Sequence, residues 1–152
     1  MTERVDFYVL KSTAAKQRWT FACRLIEKAY LRDLRIVIVH ETLEEAKELD
    51  ELLWTFNERS FVPHKICLDE QSMDPATPVY LVLQASPTPA AELLVNLANG
   101  LPAQLSKSTR IAEIIDADDE RRRLGRERFK AYRELKLTLE THQIDETAGA
   151  YG

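Results

Sequence analysis

Glycine occurs only at positions 100, 125, 149 and 152 of this 152-residue chain, so the first 99 residues contain none. Loops that cradle phosphate bring backbone amides close to the anion in left-handed or strained geometry, and they carry several glycines between a strand and a helix. Neither G-x-x-x-x-G-K-[ST] nor G-x-G-x-x-G can therefore exist in the first two strand-helix units. Whatever this chain folds into, the usual nucleotide sites are absent from it.

Those units are legible. Val5 to Leu10 is β-branched and aromatic with apolar residues on both faces and reads as a strand, and Lys11-Ser12-Thr13 follows as a turn and helix cap. From Ala14 to about Leu31, apolar residues at Trp19, Ala22, Cys23, Ile26, Ala29 and Tyr30 fall in steps of three and four, one stripe of a helix. Arg35 to His40 is a second strand whose unbroken apolar run suits a sheet covered on both faces. Thr42 and Glu45 then form a capping box, opening a helix with Leu43, Ala46, Leu49, Leu53 and Phe56 on one side that ends before Pro63. Val79 to Leu83 is a third strand. Leu93 to Leu97 and Ile111 to Asp116 are too short to settle their own period, and both are assigned as strands. Residues 64–68 provide a short extended piece at most, and the last large element is a helix from about Ala117 to Leu139.

Strand alternating with helix predicts right-handed crossovers and a parallel sheet. The expected architecture is a three-layer α/β/α domain on a mainly parallel open sheet of about five strands. It spans residues 1–139, with a loose tail over 140–152. The length suits one domain with a substantial core. No stretch is long and uncharged enough for a membrane span, and no leader pattern is visible, so a cytoplasmic location is expected. Cys23 and Cys67 show no paired spacing, and His40, His64 and His142 are scattered. No structural zinc, disulfide or other cofactor is expected.

Net charge is -4, yet Glu120 to Lys136 holds eight Lys or Arg against three Glu, leaving +5 there and -9 elsewhere. A globally acidic chain is a poor non-specific binder of nucleic acid, and the local basic segment favours an acidic ligand. At helical spacing Arg122, Arg126, Phe129 and Arg133 share one face with Lys130 beside them. Leu124, Ala131, Tyr132 and Leu135 lie toward the opposite side, which is expected to pack on the domain. The first stripe is either a solvated charged face with one stray ring or a site for an acidic peptide with an apolar end. A second cluster, Trp54 and Phe61, marks where a helix hands over to a connector. These aromatics either enter the core or wall a peptide pocket.

Three stretches carry a family resemblance: Asp6-Phe7-Tyr8-Val9-Leu10, then Leu49 to Trp54 followed by Ser60-Phe61-Val62-Pro63-His64, then Arg126-Glu127-Arg128-Phe129-Lys130-Ala131-Tyr132-Arg133. In order and spacing they resemble the chi subunit of bacterial DNA polymerase III, over roughly residues 5 to 135. Phe129 stands where that family typically has tyrosine, keeping the ring without its hydroxyl. The resemblance implies a mononucleotide-binding-like fold that binds no nucleotide, and a non-catalytic accessory subunit of the clamp-loader complex. It implies two partners, the psi subunit and the acidic C-terminal tail of single-stranded-DNA-binding protein, with DNA reached mainly through them. By motif position the tail pocket would use Trp54, Phe61, Arg126, Phe129 and Lys130, and helix geometry adds Arg122. The psi surface is expected on an apolar patch of the first strand-helix unit. Two other readings stay open: a small α/β enzyme, for which Ser60 and His64 lack an evident orienting acid, and a direct nucleic-acid binder using the basic helix.

Overall fold

The computed structural model describes residues 2–144. In chain order its main elements are β1 (Arg4–Leu10), α1 (Ala15–Tyr30), β2 (Ile36–His40), α2 (Leu43–Thr55), β3 (His64–Ile66), β4 (Val79–Leu83), β5 (Ala91–Asn96), β6 (Ser108–Ile115), α3 (Asp119–Glu134) and β7 (Thr138–Ile144). The strands form one sheet in the order β3-β4-β2-β5-β6-β1-β7, and every adjacent pair is parallel.

Handedness decides where the helices go. From β1 through β2 to β3 the chain moves toward one edge of the sheet, and from β3 onward every connection moves back toward the other. Right-handed crossovers in opposite directions lie on opposite faces. Alternate residues of the same strands record the result. Ile36, Ile38, Val79, Leu81, Leu93 and Val95 pack with Phe21, Ile26, Leu49 and Leu53 of α1 and α2. Val37, Val39, Tyr80, Val82 and Leu94 belong to a second core with Tyr132 and Phe129 of α3.

Local chemistry sets the ends. Thr42 Oγ1 accepts from the Glu45 amide at 3.2 Å, the expected cap of α2. At α1 the expectation fails: the cap position is Ala14, with no side-chain hydrogen bond, and Ser12 Oγ instead accepts from the Ala14 amide at 3.0 Å. Both α1 and α3 close with a residue in the left-handed region, Asp33 and Lys136, each at φ 62°. After α3, the Lys136 amide bonds to Arg133 O at 2.9 Å and the Leu137 amide to Tyr132 O at 3.3 Å. After α1 the same pair runs from Asp33 to Tyr30 O and from Leu34 to Ala29 O. This is the carbonyl-satisfying closure that glycine ordinarily serves.

The sheet has seven strands rather than five, and the two additions lie at its edges. β3 is the short extended piece after Pro63. β7 corrects two expectations: the last helix stops at Glu134 instead of continuing to Leu139, and residues 140–144 are a strand paired with β1 instead of tail. An outermost strand shows solvent on much of both faces, so it carries little of the apolar periodicity by which strands are recognised. The part of the expected tail from 145 to 152 lies outside the described residues.

Between β5, β6 and α3 sits a polar hub inside the second core. Glu113 is fully buried and accepts from Arg128 Nε at 3.0 Å, Asn96 Nδ2 at 2.8 Å and Tyr132 OH at 2.6 Å. Burial, reinforced by the Glu113 charge, pushes the Tyr132 hydroxyl up so that it stays a donor. Arg128 also donates to Asn99 O at 2.7 Å. Glu113→Ala strands the Arg128 guanidinium in the core, and we expect a loss of about 3–5 kcal/mol in urea unfolding; a loss below about 1 kcal/mol would show the hub to be dispensable. Lys136→Gly relieves left-handed backbone at a solvent-exposed position and is expected to gain up to about 1 kcal/mol in the same assay.

Candidate functional site

The basic helix α3 is anchored at its start. Asp118 caps it by accepting from the Arg121 amide at 2.9 Å, and the fully buried Asp116 takes Arg121 Nε and Nη2 at 2.8 and 2.7 Å. Its inward face is Gly125, Arg128 and Tyr132. Of the four residues expected to pack on the domain, Tyr132 is buried, Leu124 and Ala131 are half-buried, and Leu135 is exposed at 53%. The helix is rotated relative to a purely apolar stripe because the Glu113 hub draws Arg128 inward.

That rotation builds a pocket of about 200 Å³, lined by Phe7 and Val9 of β1, Ile115 of β6, Arg122, Gly125, Arg126 and Phe129 of α3, and Thr141 of β7. Its floor is apolar. The Phe129 ring packs against Phe7 with centroids 5.2 Å apart, and the Arg133 guanidinium covers the Phe129 ring at 5.5 Å. Gly125 makes room for the floor: a Cβ there would come within 2.8 Å of Ile115 Cδ1.

Charge around the pocket is one-sided. Two of the helix's three glutamates, Glu120 and Glu127, are both taken by Arg123, at 2.5 and 2.9 Å, on the outer surface. Arg122 donates only to the Asp116 carbonyl, at 3.2 Å, while Arg126 and Lys130 have no ion-pair partner among the described residues. Lys130 is exposed on the same helix but does not line the pocket. Unpaired guanidinium groups beside an apolar floor suit a carboxylate attached to an apolar side chain.

Trp54 and Phe61 are not part of this pocket. Trp54 lies in the last turn of α2, on the other side of the sheet, and packs against Phe61 at 5.4 Å and His64 at 4.1 Å between ring centroids. Both are exposed, Trp54 at 44% and Phe61 at 69%. The combined six-residue site expected from the motifs is thus two surfaces: Arg122, Arg126 and Phe129 with Lys130 nearby on α3, and Trp54 with Phe61 beyond α2. The reversal of winding after β3 separates them.

The rival enzyme reading turns on Ser60 and His64. His64 Nδ1 faces Val62 O at 2.6 Å, and Nε2 faces Asp50 O at 2.9 Å and Asp50 Oδ1 at 3.3 Å, so an acid does lie beside the ring, but neither ring nitrogen is turned to Ser60. The β1–β7 pairing does bring Asp6, Glu140 and His142 within metal-ligand reach of one another. Their oxygens are already engaged: Asp6 receives Arg4 at 2.7 Å, Arg110 at 2.8 Å and His142 at 2.8 Å, and Glu140 receives Arg4 at 2.8 Å. Burial pushes the Asp6 carboxyl up, but these donors bring it below the ordinary range. The cluster is a buried carboxylate neutralised by its neighbours.

Comparison with known proteins agrees with the resemblance read from the three stretches. A sequence model described as DNA polymerase III chi subunit, HolC, matches residues 1–140. The DNA polymerase III subunit chi of Pseudomonas aeruginosa is 33% identical over 93% of this chain and 96% of that protein. Those of Haemophilus influenzae and Escherichia coli are each 27% identical, covering 95% and 78% of this chain and 99% and 80% of theirs. A chain from a Saccharomyces cerevisiae Dbp5–Gle1 structure shares the fold alone, with TM-score 0.61 at 12% identity over 93% of this chain and 42% of that one. A parallel α/β domain with a glycine-free first turn and a basic, aromatic helix is the setting in which the match falls. The chain belongs to the DNA polymerase III chi subunit family, accessory subunits of DNA replication. No helix among the described residues is long and apolar enough to cross a membrane.

Phe7, Val9, Ile115, Gly125 and Thr141 were missed as site residues in the sequence. Gly125 is the one that offered a signal, as a lone glycine within a helical pattern. Gly125→Ala is expected to yield less than the ~1 kcal/mol of helix propensity it would gain at a free position, because its Cβ displaces Ile115 toward the pocket. Thermal unfolding checks this, and a full propensity gain would show that Ile115 yields at no cost.

Proposed function

We propose that this chain is a non-catalytic adaptor of the DNA polymerase III clamp-loader complex, holding the acidic C-terminal tail of single-stranded-DNA-binding protein in the α3 pocket. The observation that carries the reading is the unpaired Arg126 beside an apolar pocket on an otherwise acidic protein. The tail's terminal Phe enters between Phe7, Val9, Ile115 and Phe129. Apolar cavities of ~150 Å³ accept benzene, so the volume here admits a phenyl ring. The terminal carboxylate meets Arg126, and the preceding acids meet Arg122, Lys130 and Arg133. Phe129 has no hydroxyl, so the ring contributes shape and apolar surface alone.

The exposed Trp54–Phe61 pair is then assigned to the psi subunit. It presents two large exposed hydrophobic side chains, where the described part of the first strand-helix unit presents one, Leu31. Because it lies across the sheet from α3, both partners can be held at once, which is what a link between the clamp loader and coated single-stranded DNA requires.

Titration of a fluorescent acidic peptide ending in Phe, followed by anisotropy, tests the assignment. Arg126→Ala is expected to weaken binding by about 2 kcal/mol or more, and Trp54→Ala to leave it unchanged while impairing capture of psi. Unchanged peptide affinity in Arg126→Ala, or loss of peptide binding in Trp54→Ala, would reverse the assignment of the two surfaces.

A further inference from the structure

Beneath the second half of α1, on the face of the sheet away from α3, lies a cavity of about 260 Å³, against about 200 Å³ for the α3 pocket. Its apolar wall is Leu25 and Ala29 of α1, Leu34 of the turn that follows, Leu93 of β5 and the Tyr8 ring of β1. All five belong to the core under α1 and α2 or pack against it. The space has a local cause at Arg110 of β6. Arg110 stands two residues before Ala112, on the face that α1 covers, where a sheet beneath a helix ordinarily places an apolar side chain. Its guanidinium turns instead to Asp6, Nη2 to Oδ2 at 2.8 Å, and the short Ala29 side chain does not fill what is left.

Four charged side chains line this cavity, and three of them are positive: Lys28, Arg32 and Arg110 against Glu92. The acid is engaged, since Glu92 Oε2 accepts the Arg35 amide at 3.2 Å. Arg110 is shared with Asp6, which Arg4 and His142 also neutralise. Lys28 is half-buried and Arg32 exposed, and neither has an ion-pair partner among the described residues. Lys28 lies in the last turn of α1 and complements the carbonyl end of that helix. Arg32 lies beyond that end and Arg110 on another element, so the helix alone does not account for the concentration of positive charge. Burial pushes the Tyr8 hydroxyl up, which keeps it a neutral hydrogen-bond donor.

We propose that this cavity binds a small organic acid, a carboxylate on a flat apolar body about the size of phenylpropionate. The carboxylate meets Lys28 and Arg32, and the apolar body rests on Leu25, Leu34, Leu93 and Tyr8. Apolar cavities of ~150 Å³ accept benzene, so the larger volume here leaves room for a ring and a short acid arm. The cavity is more enclosed than the α3 pocket, with α1 above and three strands below. Such enclosure suits a free molecule better than a peptide, whose backbone must follow its side chain in. The site shares no residue with the α3 pocket and is independent of what that pocket holds.

The probe is phenylpropionate, with phenylpropionamide as its uncharged match. Each is titrated into the full chain at constant ionic strength while the methyl NMR signals of Leu25, Ala29 and Leu93 are followed. The acid is expected to shift all three and to saturate in the millimolar range, with the amide about tenfold weaker. Lys28→Gln with Arg32→Gln is expected to weaken the acid about tenfold and to leave the amide unchanged. Neither residue is in the core, and the methyl spectrum of the unliganded variant verifies its fold. Arg126→Ala is expected to leave both titrations unchanged. Equal response to acid and amide, or shifts that do not saturate, overturns the site. Loss of the response in Arg126→Ala overturns its location, because the acid would then be held by α3. Tighter binding at these methyls by an acidic peptide ending in Phe than by the free acid overturns the assignment to a small molecule.

Discussion

The right-handedness of strand-helix-strand crossovers determines this molecule more than any single contact. With all strands parallel, a helix's face follows from the direction in which the chain is moving across the sheet. Here the direction reverses once, after β3. Everything before the reversal, including α1 and α2, covers one face, and α3 covers the other. The two surfaces rich in exposed aromatic or basic side chains are thereby placed back to back. Two ligands held on these surfaces would not compete for space, with no second domain needed.

Within that frame the exposed chemistry of α3 is set by a buried one. The helix is strongly polar, and an apolar stripe alone would give it a weak hold on the sheet. Glu113 instead draws in Arg128 and Tyr132, with Asn96 completing the carboxylate's partners. Fixing residues 128 and 132 fixes the rotation of the helix and therefore the side on which Arg122, Arg126 and Phe129 emerge. Buried ionic hubs are weak contributors to net stability but strong determinants of geometry once removal of one partner is considered. The glycine at 125, one turn earlier on the inward side, lets the helix backbone approach Ile115 closely enough for the pocket to have a floor.

The parallel α/β class, the first two strand-helix units and the Thr42 cap were legible because each rests on local periodicity or on one side chain's reach. The α3 residues of the site were legible as a charge imbalance at helical spacing. What was not legible depends on distance in sequence. The separation of Trp54 and Phe61 from the α3 pocket was not legible because the direction of winding is not written in any local pattern. β7 was taken for helix end and tail because an edge strand alternates too little, and because Lys136 holds a left-handed position that glycine would have advertised. The scarcity of glycine that excluded a phosphate loop thus also concealed how two helices end.

The pocket walls come from residues 7, 9, 115, 122, 125, 126, 129 and 141, nearly the whole span of the described chain. β1, made first, sits between β6 and β7 and waits for both. During synthesis the α3 pocket therefore comes into being only when β7 has emerged and paired, whereas Trp54 and Phe61 belong to α2 and the connector before β3, made well before it. Prematurely terminated products would carry the Trp54–Phe61 pair without the α3 pocket. The pairing of β7 with β1 is what places Thr141 and completes the wall of the pocket beside the basic helix.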